Sequence, residues 1–481
     1  MTSQLELGGL GEPEDGDEPK VVVEKDLDVL AQGWTVYWTR SIKALFFESW
    51  FNICMLAAPF AAYYYYTDVD GNNAAMTFGC SLVAIAPFAE RLSFVTEQLA
   101  MHTSETLGGL LNATFGNVTE LVVSLIALNR GLLRIVQARP PPAPPSFAAP
   151  PAAIPPADPG ARAPMYVQVS LLGSILSNML LVLGCAFLFG GVKHKTQRFN
   201  RTASSMNSGL LLLSVMSLTF PMLLNATHQA THDTLDPVAV LYISRVVAAM
   251  LLVVYCLYLF FQLYTHQHLY EDEAEADDDD EEAVLGVWGA ILWLAVITVF
   301  IAFLSEYMVD AIEGAAHEVG VPDLFLGTII IPIVGNAAEH AAAIIFAYKN
   351  KMELALGIAI GSSTQARPAR PSARPPARPP RAPRDSAPRS TRSPRDSAPP
   401  LQIALFVIPL CIVIAWFVDR PLSLDFHPFE SGVLLLTVLL VGFLVQNGES
   451  NWLQGVMLVT AYLVVSAGFF VHVDPVVPPA A

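Results

Sequence analysis

The chain has 481 residues, 53% of them hydrophobic and only 14% charged, with a formal net charge of −17. That composition excludes an ordinary soluble domain, and the acidic balance predicts no nucleic-acid partner. Much of the negative charge lies in two polar pieces, the N-terminal tail (Glu12, Glu14, Asp15, Asp17, Glu18) and the run EDEAEADDDDEE at 271–282.

In chain order, residues 1–40 read as an acidic cytosolic tail without the apolar core of a cleavable signal. A first membrane helix follows within 41–70. Apolar runs of spanning length recur near 74–92, 105–129, 167–190, 208–226, 237–264, 283–304, 324–348, 352–364 joined to 403–418, 431–446 and 452–473. At roughly 20 residues per span this predicts about eleven transmembrane helices, an all-α polytopic membrane protein. Barrel strands would instead alternate over about ten residues. The plan is a first half over 71–270, an acidic linker at 271–282 and a second half over 283–473.

Lys and Arg placement sets the expected orientation. With a cytosolic N-terminus, Arg40 and Lys43, then Lys193, Lys195, Arg198 and Arg201, then Lys349 and Lys351 all fall on the cytosolic side, while Arg130 and Arg134 face the other way. Cys54, Cys80, Cys185, Cys256 and Cys411 fall in apolar segments without metal spacing and read as helix-packing residues.

One pattern occurs twice. Residues 107–117 read LGGLLNATFGN and run on as VTELVVSLIAL; residues 326–336 read LGTIIIPIVGN and run on as AAEHAAAIIFA. Each copy sets a Gly-Asn three residues before a glutamate, Gly116-Asn117 before Glu120 and Gly335-Asn336 before Glu339. A carboxylate at membrane depth is costly and marks a functional site. Upstream, Glu90 and Glu97 are seven apart, as are Glu306 and Glu313, so each pair lies near one helix face. In the expected topology the matched helices run in opposite directions, so the halves form two inverted repeats around a midplane site.

The donors suit a hard cation. Calcium takes about six to eight oxygens from carboxylates, amides, carbonyls and water. Glu120 and Glu339 supply two carboxylates, and Asn117 and Asn336 offer amide oxygens on nearly the same face. Gly116 and Gly335 weaken the helix there, so that a break frees backbone carbonyls. Pro332 favours a kink before the second Gly-Asn. Ser174 and Asn178 in GSILSN, and Ser362 and Gln365 in GSSTQ, could complete the shell. With the metal gone, two facing carboxylates take up protons, so metal and protons compete for the same oxygens. Glu90, Glu97, Glu306 and Glu313 would extend a proton pathway. His102 and His317 read as loop-edge residues, and His340 has no counterpart in the first half.

These residues resemble the calcium/proton exchangers of the cation/proton exchanger family, within the calcium/cation antiporter superfamily. The resemblance rests on GNVTELVVSLIAL, GNAAEHAAAIIFAYKNKMELALGIAIGSSTQ, GSILSNMLLVLG and the acidic segment before the seventh helix, and covers about residues 40–473. It implies one N-terminal helix plus two inverted five-helix repeats, usually in the vacuolar membrane. It also implies calcium coordination by Glu120 and Glu339, with protons moving into the cytosol. The substrates are then calcium and protons in a lipid bilayer, with no cofactor and with other divalent cations as further cargo. The alternatives are a sodium- or manganese-linked exchanger of the same superfamily, a cation channel, or a non-transporting product. No phosphate loop, nucleophile motif or metal-water site supports an enzyme.

Two inserts depart from the family pattern, Pro/Ala-rich 138–168 and Arg/Pro-rich 366–402. Proline at this density cannot form a membrane helix, and the nine arginines of the second cannot stay in hydrocarbon. Both begin Ala-Arg-Pro after a glutamine and end in another glutamine, and removal of the second restores GSSTQIALFVIPL. One or both read as translated intron or a faulty gene model, and a retained second insert would break the ninth helix at the site. Transcript sequencing should show reads that skip one or both; reads continuous through both would refute this.

Overall fold

The computed structural model describes residues 34–47, 49–68, 73–103, 108, 111, 114–137, 170–230, 237–266, 284–360 and 400–472, and structural statements refer to these alone. The acidic tail to residue 33, the linker 271–282, the insert 138–168, Ser362, Gln365 and residues 366–399 lie outside them.

The chain is an all-α polytopic membrane protein. Its N-terminal element is α1 (Trp34–Ile42), which continues through a wide turn at Lys43–Phe47, a tight turn at Trp50–Leu56 and α2 (Ala57–Thr67). Long helices follow: α3 (Ala74–Ala100), α4 (Val118–Gln137), α5 (Ser170–Lys193), α6 (Arg201–Ala230), α7 (Pro237–Phe260) and α8 (Val287–Val319). Then come α9 (Asp323–Gly335), α10 (Ala337–Tyr348), α11 (Met352–Ala359), α12 (Pro400–Phe417), α13 (Pro428–Val445) and α14 (Trp452–Val471). Among the described residues, 8 helices are long and apolar enough to cross a membrane, or up to 10 spans when two bent pairs are included. One pair is the N-terminal element, bent by 87°; the other is α9 with α10, bent by 54°. The expected spans at 105–129 and 352–364 are only partly described, and α4 carries a shorter apolar helix, Val118–Leu128. All five cysteines are free.

α3 and α8 lie antiparallel, and a side chain near the end of each accepts from backbone N–H groups at the start of α3 or just before the start of α8. The Ala74 and Ala75 N–H groups donate to the two carboxylate oxygens of Glu318 at 3.0 Å each. At the opposite end, Val284 and Leu285 N–H donate to Gln98 Oε1 at 2.7 and 3.3 Å. Phe88 stacks on Phe300 between the two ends, with centroids 5.2 Å apart. Buried His102, expected at a loop edge, adds an Nε2 contact to the Leu285 carbonyl at 2.6 Å, whereas His317 is exposed.

The apolar core has two parts. One joins α3 and α8 with Leu45 and Ala61 of the N-terminal element. The other joins α5, α6, α7, α10, α11, α12, α13 and α14. A short antiparallel ribbon, β1 (Gln197–Arg198) with β2 (Glu449–Ser450), closes one face. Gln197 Nε2 donates to the Ala347 carbonyl at 2.8 Å, which brings the ends of α5 and α10 together there. The groups Lys193 to Arg201 and Lys349 to Lys351 therefore share that face.

Gln98→Leu would remove the acceptor of two buried N–H groups. The expected loss is about 1–3 kcal/mol of stability, read as a lower unfolding temperature in detergent. An unchanged temperature would mean that this cap does not join α3 to α8.

Candidate ion-binding site

Both Gly-Asn pairs interrupt their helices. The helical residues Thr114 and Phe115 give way to a turn at Gly116-Asn117 before α4 begins, and α9 ends at Gly335 before a turn at Asn336 and the start of α10. Each asparagine carbonyl closes the first turn of the following helix. Leu121 N–H donates to the Asn117 carbonyl and His340 N–H to the Asn336 carbonyl, both at 3.0 Å. The asparagine carbonyls are thus engaged by the helices that follow them. Pro332 lies early in the last turns of α9, where its carbonyl accepts from Asn336 N–H at 3.0 Å and the 54° bend follows.

This geometry puts Glu120 and Glu339 in the first turns of α4 and α10. Helix N-termini carry partial positive charge, which favours a carboxylate there. Both glutamates line one cavity of about 50 Å³, room for roughly three waters or one partly dehydrated ion. Glu339 Oε2 is buried without a hydrogen-bond partner among the described residues.

The remaining predicted residues distribute as follows. Gly116, Gly335, Asn336 and Ser174 also line the cavity. A Cβ on Gly335 would meet nothing within 4 Å, so its lack of a side chain leaves open space. Gly173 works differently: a Cβ there would sit 2.2 Å from the Thr328 carbonyl oxygen, so glycine is what lets α5 lie flush on α9. Asn117 and Asn178 sit behind the lining as partners in two amide pairs. Asn336 Nδ2 donates to Asn178 Oδ1 at 3.3 Å, and Asn117 Nδ2 donates to Gln402 Oε1 at 2.6 Å. Each interrupted helix of one half therefore leans its asparagine on a helix of the other half. Of the four acids assigned to a proton pathway, only Glu90 reaches the cavity; Glu97, Glu306 and Glu313 are half-buried outside its lining.

Three residues escaped the sequence reading. Gln402 was counted with the second insert, yet Pro400, Leu401 and Gln402 are all buried at the start of α12. Its signal was available: a glutamine stands at both ends of the insert, and Gln402, directly before Ile403, fills the GSSTQIALF position. Arg91, beside Glu90, is buried and ion-paired to it. His340, which had no counterpart, lies with Nε2 3.3 Å from Ser177 Oγ. No group of three His, Cys, Asp or Glu side chains able to hold a metal occurs among the described residues. The cavity is lined by three glutamates, an asparagine and several hydroxyl residues, among them Ser174 and Thr119.

These features define a polytopic membrane protein with a mainly apolar cavity that carries Glu120 and Glu339 where two interrupted helices meet. Residues 73–139, 163–264, 289–366 and 398–471 match the sequence model of the sodium/calcium exchanger protein family. The chain belongs to that family. The unmatched stretches 140–162 and 367–397 fall inside the two inserts. The chain is 40% identical over 445 residues to vacuolar cation/proton exchanger 3 of Oryza sativa subsp. japonica, covering 91% of this chain and 89% of that protein. It is 40% identical over 447 residues to vacuolar cation/proton exchanger 2 of Arabidopsis thaliana, covering 91% and 84%. Among solved structures, the Ca2+/H+ antiporter protein YfkE superposes with a TM-score of 0.61 at 28% identity, covering 88% of this chain and 99% of that one.

Gln402→Leu, which removes the acceptor held by Asn117, is expected to cost about 1–3 kcal/mol and to lower the unfolding temperature. An unchanged temperature would mean that Gln402 is not the partner that holds Asn117.

Proposed function

We propose that the protein is a secondary active antiporter that exchanges calcium for protons across an organelle membrane, the vacuolar membrane foremost, and moves calcium out of the cytosol. The observation that carries this reading is the pair of carboxylates, one from each half of the chain, that enter one buried cavity from the first turns of interrupted helices. Two carboxylates balance one divalent cation. Emptied of it, they cannot both keep their charge in a dry cavity, so protons replace the metal and the two fluxes are coupled. Oxygen donors of carboxylate, amide and hydroxyl type suit a hard cation such as calcium. Alternating access around a midplane site fits two inverted halves meeting there. The relatives named as vacuolar cation/proton exchangers and the antiporter YfkE support the same substrates. The basic face at the β1–β2 ribbon supports a cytosolic placement of that side, and with it a cytosolic N-terminus.

Calcium uptake into sealed vesicles under an imposed proton gradient tests this. Uptake should collapse with a protonophore and fall at least tenfold in Glu120→Gln and in Glu339→Gln. Protonophore-resistant uptake, or full uptake in both variants, would overturn it.

A further inference from the structure

Arg91 lies 17 residues into the 27-residue α3, roughly 13 Å from its C-terminal end at 1.5 Å per residue. It is only 5% exposed. A guanidinium at that depth in a membrane helix is costly and needs partners. It has three. Nε donates to Glu90 Oε2 at 2.6 Å, and Nη2 donates to the other oxygen of the same carboxylate. Nη1 donates to the Ala44 carbonyl at 3.2 Å, in the wide turn of the N-terminal element, and the guanidinium lies 5.2 Å from the Phe94 ring centroid.

Glu90 lines the cavity with Glu120 and Glu339. Three acidic residues therefore line the cavity, one more negative charge than a divalent ion balances, and among the described residues the cationic side chain paired with one of them, Arg91, is committed to Glu90 at both oxygens. We propose that Arg91 is a positioning residue that takes Glu90 out of the coordinating set, so that the cavity presents two negative charges to its cation. It rests on the reading of the cavity as a cation site. The bond to Ala44 holds the guanidinium in place from the N-terminal element, so the charge of the site depends on a helix that does not line it. Glu90 then has a different part from the proton carrier expected of it: it is the acid that Arg91 neutralises.

The signature is a pair of opposite shifts. Arg91→Met leaves Glu90 uncompensated beside the cation, which is held more tightly and released more slowly; KM for calcium should fall roughly tenfold together with maximal uptake. Glu90→Gln leaves the guanidinium uncompensated, and KM should rise by a similar factor. The double variant Glu90→Gln/Arg91→Met is neutral at that position and should return KM to within about threefold of the unaltered chain. Uptake into proteoliposomes of the full chain, with Glu120→Gln as the inactive reference, reads all four. Absence of uptake by the unaltered chain would sink the cation-site reading itself. Uptake by that chain with single variants that shift KM in the same direction, or a double variant no closer to it than Glu90→Gln, would overturn the role of Arg91 alone. Should Arg91→Met fail to reach the membrane, comparison of Glu90→Gln with the double variant decides.

Discussion

A carboxylate cannot lie in the middle of a continuous membrane helix without compensation, and the backbone around Glu120 and Glu339 meets that constraint. Interrupting the helix just before the acid places it in a first turn, where exposed N–H groups and the helix dipole favour negative charge. The interruption needs a residue that tolerates a break and one whose carbonyl closes the new first turn, which are the glycine and the asparagine of each copy. It also leaves two half-helices to be held in line. The amide pairs Asn117 with Gln402 and Asn336 with Asn178 do this by reaching into the opposite half. One electrostatic requirement thus accounts for every position of the Gly-Asn-x-x-Glu pattern and for the polar residues opposite it.

The interrupted helices are also the elements that belong to both apolar cores. Val118 of α4 is buried with α3 and α8, while Ala127 and Leu128, further along the same helix, are buried with α5 and its neighbours. In α9, Leu326 packs on the first side and Leu324 and Ile329 on the second. α3 and α8, tied at both ends by Gln98 and Glu318, form one side as a unit. The helices that join the two cores are therefore the ones broken beside Glu120 and Glu339.

The sequence made the two glutamates legible because the pattern is duplicated and each residue type has a local reason to be there. Apolar run length made the helical class legible in the same way. What it could not convey was long-range pairing. Nothing local in AERLSF says that Arg91 turns to Glu90 and to a carbonyl 47 positions earlier, since adjacent residues on a helix do not ordinarily face each other. The reciprocal contacts of α3 and α8 join residues about 186 and 244 positions apart, and His102 lies at a loop edge as its sequence implies, but the partner that buries it there, the Leu285 carbonyl, is 183 positions away. The matched acids Glu97, Glu306 and Glu313 lie outside the cavity lining; similar spacing says which helix face an acid takes, not which cavity that face meets.

Gln402 shows how a local ambiguity is resolved by a distant partner. The stretch from Gly361 to Phe406 contains two glutamines that could stand before the Ile-Ala-Leu-Phe run, and along the chain they are equivalent: removal of 366–402 or of 365–401 yields one and the same polypeptide. Only a contact separates them. Asn117 needs an acceptor for its amide in a buried setting, where an unmade hydrogen bond is expensive, and Gln402 supplies it from the first turn of α12. Because the residue directly before Ile403 is a glutamine whether or not the intervening segment is in the chain, that polar partner of the site is the same in both forms. The chemistry at Asn117 is therefore insulated from the most irregular part of the sequence.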